Sequence, residues 1–275
     1  MSVGTAGTAA DATVFGTHSI LKGSPHSPYQ LNLKKDVPVF IGGISLMLAA
    51  KTVKPNYRKY TPDDLAAVSR NDVNGFDRIA VGPSSQKMSE WSYVTNALTL
   101  NTVWLLFLSE DARDDVIKIL VMYAEAHVIY PLITFWINPL AARKRPYFYS
   151  EKETNEMRLG TFAQSSFPSG HANYGFCFAV LFGNIFNDYF PDSPWRYVVW
   201  PFALGCATGT AYLRYAGHWH FPSDIIAGAA TGSLIGWFIP CIHRKKTENK
   251  ISMHPVLGEY IGVNAEIDLK FRSRR

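Results

Sequence analysis

The sequence has few charged residues, few cysteines and no compact basic cluster. Asp, Glu, Lys and Arg make up 18% of the 275 residues, with a formal net charge of +5. The basic residues are spread along the chain, so we expect no nucleic-acid partner. Cys177, Cys206 and Cys241 lie in apolar segments without the spacing of a disulfide framework or a metal site. We therefore expect no structural disulfide, no bound metal and no cofactor.

The amino-terminal segment also lacks the features of a secretory signal. It has neither a basic n-region nor a continuous apolar h-region. We expect residues 1–34 to form a leader that is disordered or lies at a membrane interface. At the other end, residues 247–275 partly alternate apolar with polar side chains, which favours a strand or a hairpin.

Six apolar segments occupy the chain between these two ends. They are Val37–Ala50, Trp91–Leu108, Val116–Leu140, Ala172–Phe186, Tyr197–Leu213 and Ile225–Ile242. A spanning helix needs about 20 mostly apolar residues, so the first and fourth segments are short. A soluble bundle with buried helices is the alternative, but the longer segments and the tryptophans near segment ends favour a membrane. We predict an all-α fold, with residues 35–246 forming a six-helix transmembrane bundle.

Six crossings would place both termini on one side of the membrane. The segment ends that carry the polar motifs described below would then all lie on the other side, which is an independent test of the topology. Basic residues occur in comparable numbers on both sides, so charge alone does not predict the orientation.

Two short motifs offer groups that could hold an anion. In Phe167-Pro168-Ser169-Gly170-His171, a loop ends and the fourth helix begins, so free N–H groups and the helix dipole face the motif. Ser169 adds a hydroxyl, Gly170 allows close approach of the backbone, and His171 could give a proton to a departing oxygen. The guanidinium of Arg145, which follows the third segment, matches two phosphate oxygens.

The third motif is the most specific of the three. Arg214 ends the fifth segment, His220 lies in a short loop, and Asp224 begins the sixth segment. Asp224 could hold one ring nitrogen of His220 and leave the other free to attack a substrate. His218 is a competing candidate, but the spacing of His220 to Arg214 and Asp224 fits better.

Taken together, the three motifs resemble those of the type 2 phosphatidic acid phosphatase superfamily, whose site also occurs in vanadium haloperoxidases. The matching pieces are Arg145-Pro146, Pro168-Ser169-Gly170-His171 and Arg214-x5-His220-x3-Asp224. The resemblance implies that His220 is the nucleophile and forms a phosphohistidine, that Asp224 orients it, and that His171 protonates the leaving alcohol. It also implies that Arg145, Arg214, Ser169 and the Gly170 N–H hold the phosphate oxygens without a metal.

The sequence departs from the family pattern at two positions. Asn138 stands where the family has a lysine, and Leu213 stands where it has a serine. Losing the lysine removes one cation from the phosphate site. Arg143 or Lys144 could replace it from the following loop.

The resemblance predicts an integral membrane phosphatase acting on a lipid phosphate monoester or diphosphate, with the membrane and a phosphorylated lipid as partners. It further implies a bacterial inner membrane, with the site facing the periplasm or the exterior. Two alternatives remain open: a weakened protein that only binds phosphorylated lipid, because of Asn138, and a vanadate-dependent haloperoxidase. Glu125 and His127 in the third segment could line a headgroup path, or pair with each other, Asn96 or Asn101. The sequence does not predict an oligomeric state.

Overall fold

The computed structural model describes residue 24 and residues 26–245, together with the strands of the carboxy-terminal tail. The helices, numbered in chain order, are α1 Leu33–Ala50, α2 Pro62–Ala66, α3 Gln86–Asn101, α4 Val103–Leu106, α5 Glu110–Asp114, α6 Val116–Ala141, α7 Asn155–Leu159, α8 Gly170–Tyr189, α9 Arg196–Ala216 and α10 Pro222–His243. Short 3-10 turns lie at Arg70–Asp72, Arg78–Ala80, Pro146–Tyr149 and Thr161–Gln164.

Helix α8 is the centre of the bundle. It is buried along most of its length and packs against α10, α9, α3 and α6. Gly228, Gly232 and Gly236 of α10 lie directly on the backbone of α8, where a methyl group would overlap carbonyl oxygens of that helix. Small residues at this spacing let two helices approach closely. The close contact holds the amino-terminal ends of α8 and α10 side by side.

The six apolar segments all lie on helices, but the second is interrupted. Helix α3 ends at Asn101, and the single turn α4 follows after Thr102. Polar side chains of α3, including Ser89, Ser92, Asn96 and Thr99, are buried against neighbouring helices, which makes this helix only weakly apolar. The second apolar segment, Trp91–Leu108, therefore does not form one continuous helix.

Two helical stretches of the described chain are long and apolar enough to cross a membrane. They are Val116–Tyr149, which begins with α6, and Pro222–His243, which is α10. The prediction of six transmembrane helices is not confirmed. The physical reason is that the other helices of the bundle are shorter or carry more polar side chains, as α3 does.

The long helices run between two ends of the bundle. At one end, which we call the catalytic pole, lie the carboxy-terminal ends of α6 and α9 and the amino-terminal ends of α8 and α10. At the opposite pole, the Tyr189 hydroxyl donates to Asp115 Oδ2 (2.7 Å), joining the end of α8 to the start of α6. Helix α1 begins, and α10 ends, at this opposite pole.

The described part of the predicted leader packs against the opposite pole. Tyr29 is fully buried, its hydroxyl donates to Asp188, and it forms a backbone bridge with Arg244. Ser24 donates its backbone N–H to Asp115. Hydrogen bonds and the Tyr29 ring tie this stretch to the helices, whereas the prediction for residues 1–34 was a leader that is disordered or lies at a membrane interface. Residues 1–23 and residue 25 lie outside the described residues.

The carboxy-terminal tail contains two strands. Strand β1, Lys250–Leu257, pairs antiparallel with β2, Ile261–Asp268, with Lys250 opposite Asp268 and Leu257 opposite Ile261. Residues 246–249, 258–260 and 269–275 lie outside the described residues.

Candidate active site

The predicted site residues come together at the catalytic pole. The Ser169 N–H donates to the Asp224 carbonyl oxygen (3.0 Å), so the motifs that begin α8 and α10 are in direct contact. Arg145 reaches the third motif by donating from Nη1 to the carbonyl oxygen of Trp219 (2.8 Å). Arg145, Ser169, Arg214, His220 and Asp224 are all buried.

His220 is held with one ring nitrogen committed to the protein. Its side chain is almost completely buried, and Nδ1 lies 2.8 Å from the carbonyl oxygen of Ser166. A carbonyl only accepts hydrogen bonds, so Nδ1 carries the proton in neutral His220 and Nε2 carries the lone pair. Nη1 of Arg145 lies 3.3 Å from Nε2 and donates to it. The free nitrogen therefore faces a cationic group that could also bind an anion.

The predicted hydrogen bond between Asp224 and His220 is absent. Asp224 Oδ2 lies 3.9 Å from His220 Nδ1, which is too long for a hydrogen bond. Oδ2 instead accepts from the Ser166 hydroxyl (2.6 Å) and from the Phe221 N–H (2.9 Å). The contact differs from the prediction because Nδ1 of His220 hydrogen-bonds to the Ser166 carbonyl oxygen and not to Asp224. Asp224 and His220 are thus linked through Ser166, a residue that the motifs did not indicate.

Arg143 is the direct cationic partner of Asp224. Its Nη1 contacts Asp224 Oδ1 and donates to the Ser223 hydroxyl (2.8 Å), and Nη2 donates to Asp77 Oδ2 (2.7 Å). Burial alone would raise the pKa of Asp77, but hydrogen bonds from Asn74, Ser223 and Arg143 lower it below its usual value. Arg143 therefore joins two carboxylates.

The position of the missing family lysine is not filled from the following loop. Arg143 is committed to carboxylates as described, and the Lys144 ammonium lies 5.1 Å from the ring centres of both Tyr60 and Phe148. The side-chain oxygen of Asn138 is buried and has no hydrogen-bond partner among the described residues. The cationic groups of the predicted phosphate site are thus Arg145 and Arg214.

Arg145 is fully bonded within the protein. Besides its Nη1 contacts, Nε donates to the Phe162 carbonyl (3.1 Å) and Nη2 donates to the Ser165 carbonyl (2.8 Å). These bonds fix the plane of the guanidinium next to His220.

Not all N–H groups of Arg214 are hydrogen-bonded within the described part of the chain. Its Nη1 donates to the Ser89 hydroxyl of α3 (2.8 Å), while its buried Nε has no hydrogen-bond partner among the described residues. The guanidinium lies 5.0 Å from the ring centre of Trp219. A buried guanidinium N–H without an acceptor is costly, and an anion would satisfy it.

Ser169 and Gly170 form the start of α8. Ser169 is the N-cap, and its hydroxyl accepts from the Ala172 N–H (3.4 Å). Gly170 lies against the side chain of Thr134, where a Cβ would be 3.3 Å from the Thr134 methyl group. The first turn of α8 therefore presents its N–H groups at the catalytic pole, where the helix dipole favours an anion.

His171 lies at the edge of the site, beside an apolar groove. Its ring meets that of Tyr93 edge to face, with 4.7 Å between ring centres, and it is only partly buried. The groove has a volume of about 490 Å³ and runs between α3, α6 and α8. Its lining includes Leu100, Tyr130, Phe135 and Tyr174. A ligand in this groove would have its polar end near His171.

The surroundings of His220 keep its imidazole neutral. Burial, the positive charges of Arg145 and Arg214, and the proximity of His171 hold the pKa of His220 well below its ordinary value of 6.5. A neutral imidazole is the nucleophilic form.

His218, the competing candidate, faces away from this arrangement. Its Nδ1 lies 2.8 Å from the Ala80 carbonyl oxygen, and its ring packs on Gly82. The choice of His220 over His218 agrees with this geometry.

Glu125 and His127 do not pair with each other. His127 Nδ1 lies 2.9 Å from the Tyr123 carbonyl oxygen, one turn earlier in α6. Glu125 is fully buried and lies 3.1 Å from Nε2 of His243 at the end of α10. Asn96 and Asn101 contact backbone carbonyls instead. Glu125 thus lies beside His243 and not beside any of the pairing candidates, because the sequence does not indicate that α10 ends next to Glu125.

Comparison with known proteins identifies the family. Over 89 residues the chain is 36% identical to the lipid A 1-phosphatase of Porphyromonas gingivalis, and the match covers 31% of this chain and 19% of that protein. The chain thus spans about a fifth of the length of that relative. The crystal structure of a transmembrane PAP2 type phosphatidylglycerolphosphate phosphatase from Bacillus subtilis is similar with a TM-score of 0.43 and 18% identity, over 76% of this chain and 95% of that one. Residues 116–248, which contain all three motifs, match the family model of the PAP2 superfamily, so this part of the chain belongs to that superfamily.

Proposed function

We propose that this protein is an integral membrane phosphatase that hydrolyses a lipid phosphate monoester or diphosphate through a phosphohistidine at His220. The observation that carries the proposal is the buried His220 with its Nε2 next to Arg145, together with the Nε of Arg214, which has no hydrogen-bond partner among the described residues. A nucleophile that contacts one buried guanidinium and feels the charge of a second suits a substrate with several anionic oxygens.

In the first step, Nε2 of His220 attacks phosphorus and the bond from phosphorus to the leaving oxygen breaks. The N–H of Arg145 Nη1 that donates to Nε2 in this structure donates to a phosphate oxygen when substrate is bound, which frees the lone pair while the guanidinium keeps its position. The hydrogen bond from Nδ1 to the Ser166 carbonyl stabilises the positive charge that the ring acquires. His171 enters this step as the imidazolium, donates its proton to the leaving oxygen and becomes neutral.

In the second step, water attacks the phosphorus of the phosphohistidine and the nitrogen–phosphorus bond breaks. His171, now neutral, accepts a proton from the attacking water. Inorganic phosphate leaves, and His220 returns to its neutral form. Protein residues alone provide the nucleophile and the acid–base group, so the chemistry needs no metal.

Transition-state charge lies on the equatorial phosphate oxygens. Arg145 and Arg214 neutralise that charge, and the Ser169 hydroxyl and Gly170 N–H donate to the same oxygens. The positive end of the α8 dipole adds to this stabilisation. Fixed donors are effective here because a buried site need not reorganise during the reaction.

The apolar groove supports a lipid as the substrate. It opens beside His171, so an acyl or prenyl chain lying along Leu100, Tyr130 and Phe135 would bring its phosphate to the catalytic pole. Candidate substrates are phosphatidic acid, phosphatidylglycerol phosphate, undecaprenyl diphosphate and phosphorylated lipid A. The names of the two similar proteins include two of these classes.

The surface of α10 supports placement in a membrane. Ile226, Leu234, Trp237 and Phe238 point outward from this apolar helix. Lipid would surround these apolar side chains at no cost in free energy, whereas their exposure to water is unfavourable. By family resemblance, we place the protein in a bacterial inner membrane, with the catalytic pole on the periplasmic or extracellular side.

Phosphate release from a panel of lipid phosphates in detergent micelles tests this function. We expect release in the presence of EDTA, and loss of release in His220→Ala and in His171→Ala. An assay in which wild type and His220→Ala release phosphate at equal rates would contradict the proposal. The panel also ranks the four substrate classes.

A second candidate function is lipid binding without turnover, and Asn138 supports it. The asparagine supplies no positive charge where the family has a lysine, and Asn138 Oδ1 is buried without a partner among the described residues. If the folded wild type binds lipid phosphate and releases none, Asn138→Lys is the decisive variant. Turnover gained by that variant would favour the binding function for the natural chain.

A further inference from the structure

Three ionisable side chains meet inside the bundle at the opposite pole, far along the helices from the catalytic pole. They come from three different helices: Asp36 from the first turn of α1, Glu125 from α6 and His243 from the last turn of α10. Their exposed fractions are 5%, 0% and 1%, respectively. The phosphatase mechanism proposed above uses none of them.

The distances between their ligand atoms fit a single bound cation. His243 Nε2 lies 3.1 Å from Glu125 Oε2 and 3.7 Å from Asp36 Oδ1, and one atom from each residue lies within 4.8 Å of the others. Ligands that surround Zn²⁺ tetrahedrally at 2.0–2.2 Å are separated from one another by roughly 3.3–3.6 Å. The two distances from His243 bracket that range, and the two carboxylates lie within 4.8 Å of each other.

The inward-facing atoms of this cluster also lack hydrogen-bond partners. Asp36 Oδ1, both carboxylate oxygens of Glu125 and Nε2 of His243 are buried and unpaired among the described residues. The second oxygen of Asp36 accepts from the Asn32 N–H (2.8 Å), which directs Oδ1 into the cluster. Asn32 thus plays the part of an outer residue that orients a ligand.

The charge of the cluster requires compensation that the described side chains do not give. The nearby Lys35 ammonium donates to the Ile242 carbonyl oxygen (3.3 Å), and it forms no ion pair with either carboxylate in the described part of the chain. Burying two carboxylates without a cation costs several kcal/mol per charge, so the group must bind a cation or take up protons.

We propose that Asp36, Glu125 and His243 bind one divalent first-row metal ion, with Zn²⁺ or Mn²⁺ as the best match. The mixed set of one imidazole and two carboxylates favours these ions over Mg²⁺ and Ca²⁺, which prefer oxygen ligands alone. Glu125 can offer both oxygens, which gives three or four protein ligand atoms. The ion ties α1 to α6 and α10 and has a structural role.

The alternative occupant of the cluster is a proton shared between Glu125 and His243. It would satisfy the short 3.1 Å contact, but it would leave Asp36 Oδ1 without a hydrogen-bond partner among the described residues. A measurement of metal content distinguishes the two occupants directly, since a shared proton would leave the purified protein without metal.

The test uses the full chain, purified in detergent through a tag without histidines. We expect inductively coupled plasma mass spectrometry to find about one equivalent of Zn²⁺ or Mn²⁺ per chain. We expect removal of the ion with a strong chelator to lower Tm by roughly 5–10 °C, and addition of ZnCl₂ or MnCl₂ to restore it, while MgCl₂ and CaCl₂ do not. Metal below about a tenth of an equivalent, with no effect of ZnCl₂ or MnCl₂ on the Tm of chelated wild type, would overturn the proposal.

Variants locate the ion. Glu125→Gln and His243→Gln should lose the metal and the Tm response to added ions, and Asp192→Asn, at an exposed acidic residue, should keep both. Metal retained at wild-type levels by both cluster variants would contradict the assignment. The wild-type titration does not depend on whether these variants fold. Phosphate release measured at a temperature where the chelated protein stays folded should persist, which separates this site from the phosphatase proposal.

Discussion

Ser166→Ala tests how His220 is held. In this structure the Ser166 hydroxyl donates to Asp224 Oδ2 (2.6 Å), while the carbonyl of the same residue accepts from His220 Nδ1 (2.8 Å). Alanine removes the hydroxyl and keeps the carbonyl. The substitution therefore breaks the connection between the carboxylate and the imidazole without touching either group.

The expected magnitude comes from the bond that is lost. A hydrogen bond to a charged group contributes about 1.5–3 kcal/mol, and every 1.36 kcal/mol that is lost in the transition state lowers the rate tenfold. The backbone N–H of Ser166 still donates to the Arg143 carbonyl (3.0 Å), so the segment keeps part of its position. We therefore expect kcat to fall by roughly 10-fold, and by 100-fold at most, with KM nearly unchanged.

The assay is phosphate release under saturating and limiting substrate, with Tm recorded for each variant. Ser165→Ala is the matched control, because that hydroxyl donates to the Phe162 carbonyl (2.8 Å) and not to Asp224. The control should keep activity within about threefold of wild type. In an Asp224→Asn background, Ser166→Ala should have a much smaller effect, since the two residues act as a unit. A Ser166→Ala enzyme as active as the control would refute the indirect support of His220.

Three further predictions follow from the geometry. His220→Ala should lower kcat for phosphate release about 1,000-fold or more. His218→Asn should stay within about tenfold of wild type, and asparagine tolerates the positive φ of 59° at that position. Equal losses of kcat in the two variants would contradict the assignment of the nucleophile. The low pKa of His220 keeps the ring neutral, so a plot of kcat/KM against pH should fall on the acid side only below pH 6.5. A fall that begins at or above pH 6.5 would contradict a lowered pKa of His220. Gly232→Ala should lower the free energy of unfolding by about 1–3 kcal/mol in a thermal melt, because the added methyl group would overlap the backbone of α8. Gly205→Ala is the control and should be nearly neutral, because that position faces open space. Equal changes of Tm in the two variants would count against the close packing of α8 and α10.

The helical body could be predicted largely from the sequence. Five of the six apolar segments each lie on one helix, and the second is divided between α3 and α4, because hydrophobic runs bounded by polar loops leave few alternatives to helix. The membrane crossings were harder to predict. The polar side chains of α3 are buried against other helices, and a hydropathy pattern alone does not distinguish such a helix from one that faces lipid.

The catalytic pole could be predicted from motifs, but the hydrogen bonds within it could not. The spacing of Arg214, His220 and Asp224 places these residues at neighbouring helix ends, as the structure does. Spacing carries no information on which acceptor His220 Nδ1 selects, and a backbone carbonyl has no sequence signal at all. Ser89, which holds Arg214, was missed for a similar reason: it lies on a different helix, with no motif around it.

The cluster at the opposite pole likewise depends on contacts between distant parts of the chain, which the sequence did not predict. Glu125 could be singled out as a buried acid within an apolar segment, but its neighbour His243 lies at the end of another helix. Only the packing of α6 against α10 brings the two together.

Trapping the phosphorylated enzyme tests the central claim most directly. The protein would be mixed with a turned-over lipid phosphate, quenched in alkali within milliseconds to seconds, and digested for mass spectrometry under conditions that preserve phosphohistidine. The account predicts a transient, acid-labile phosphoryl group on His220 that is absent from His220→Ala. Turnover with phosphate attached to a different side chain, or continued turnover by His220→Ala, would contradict it.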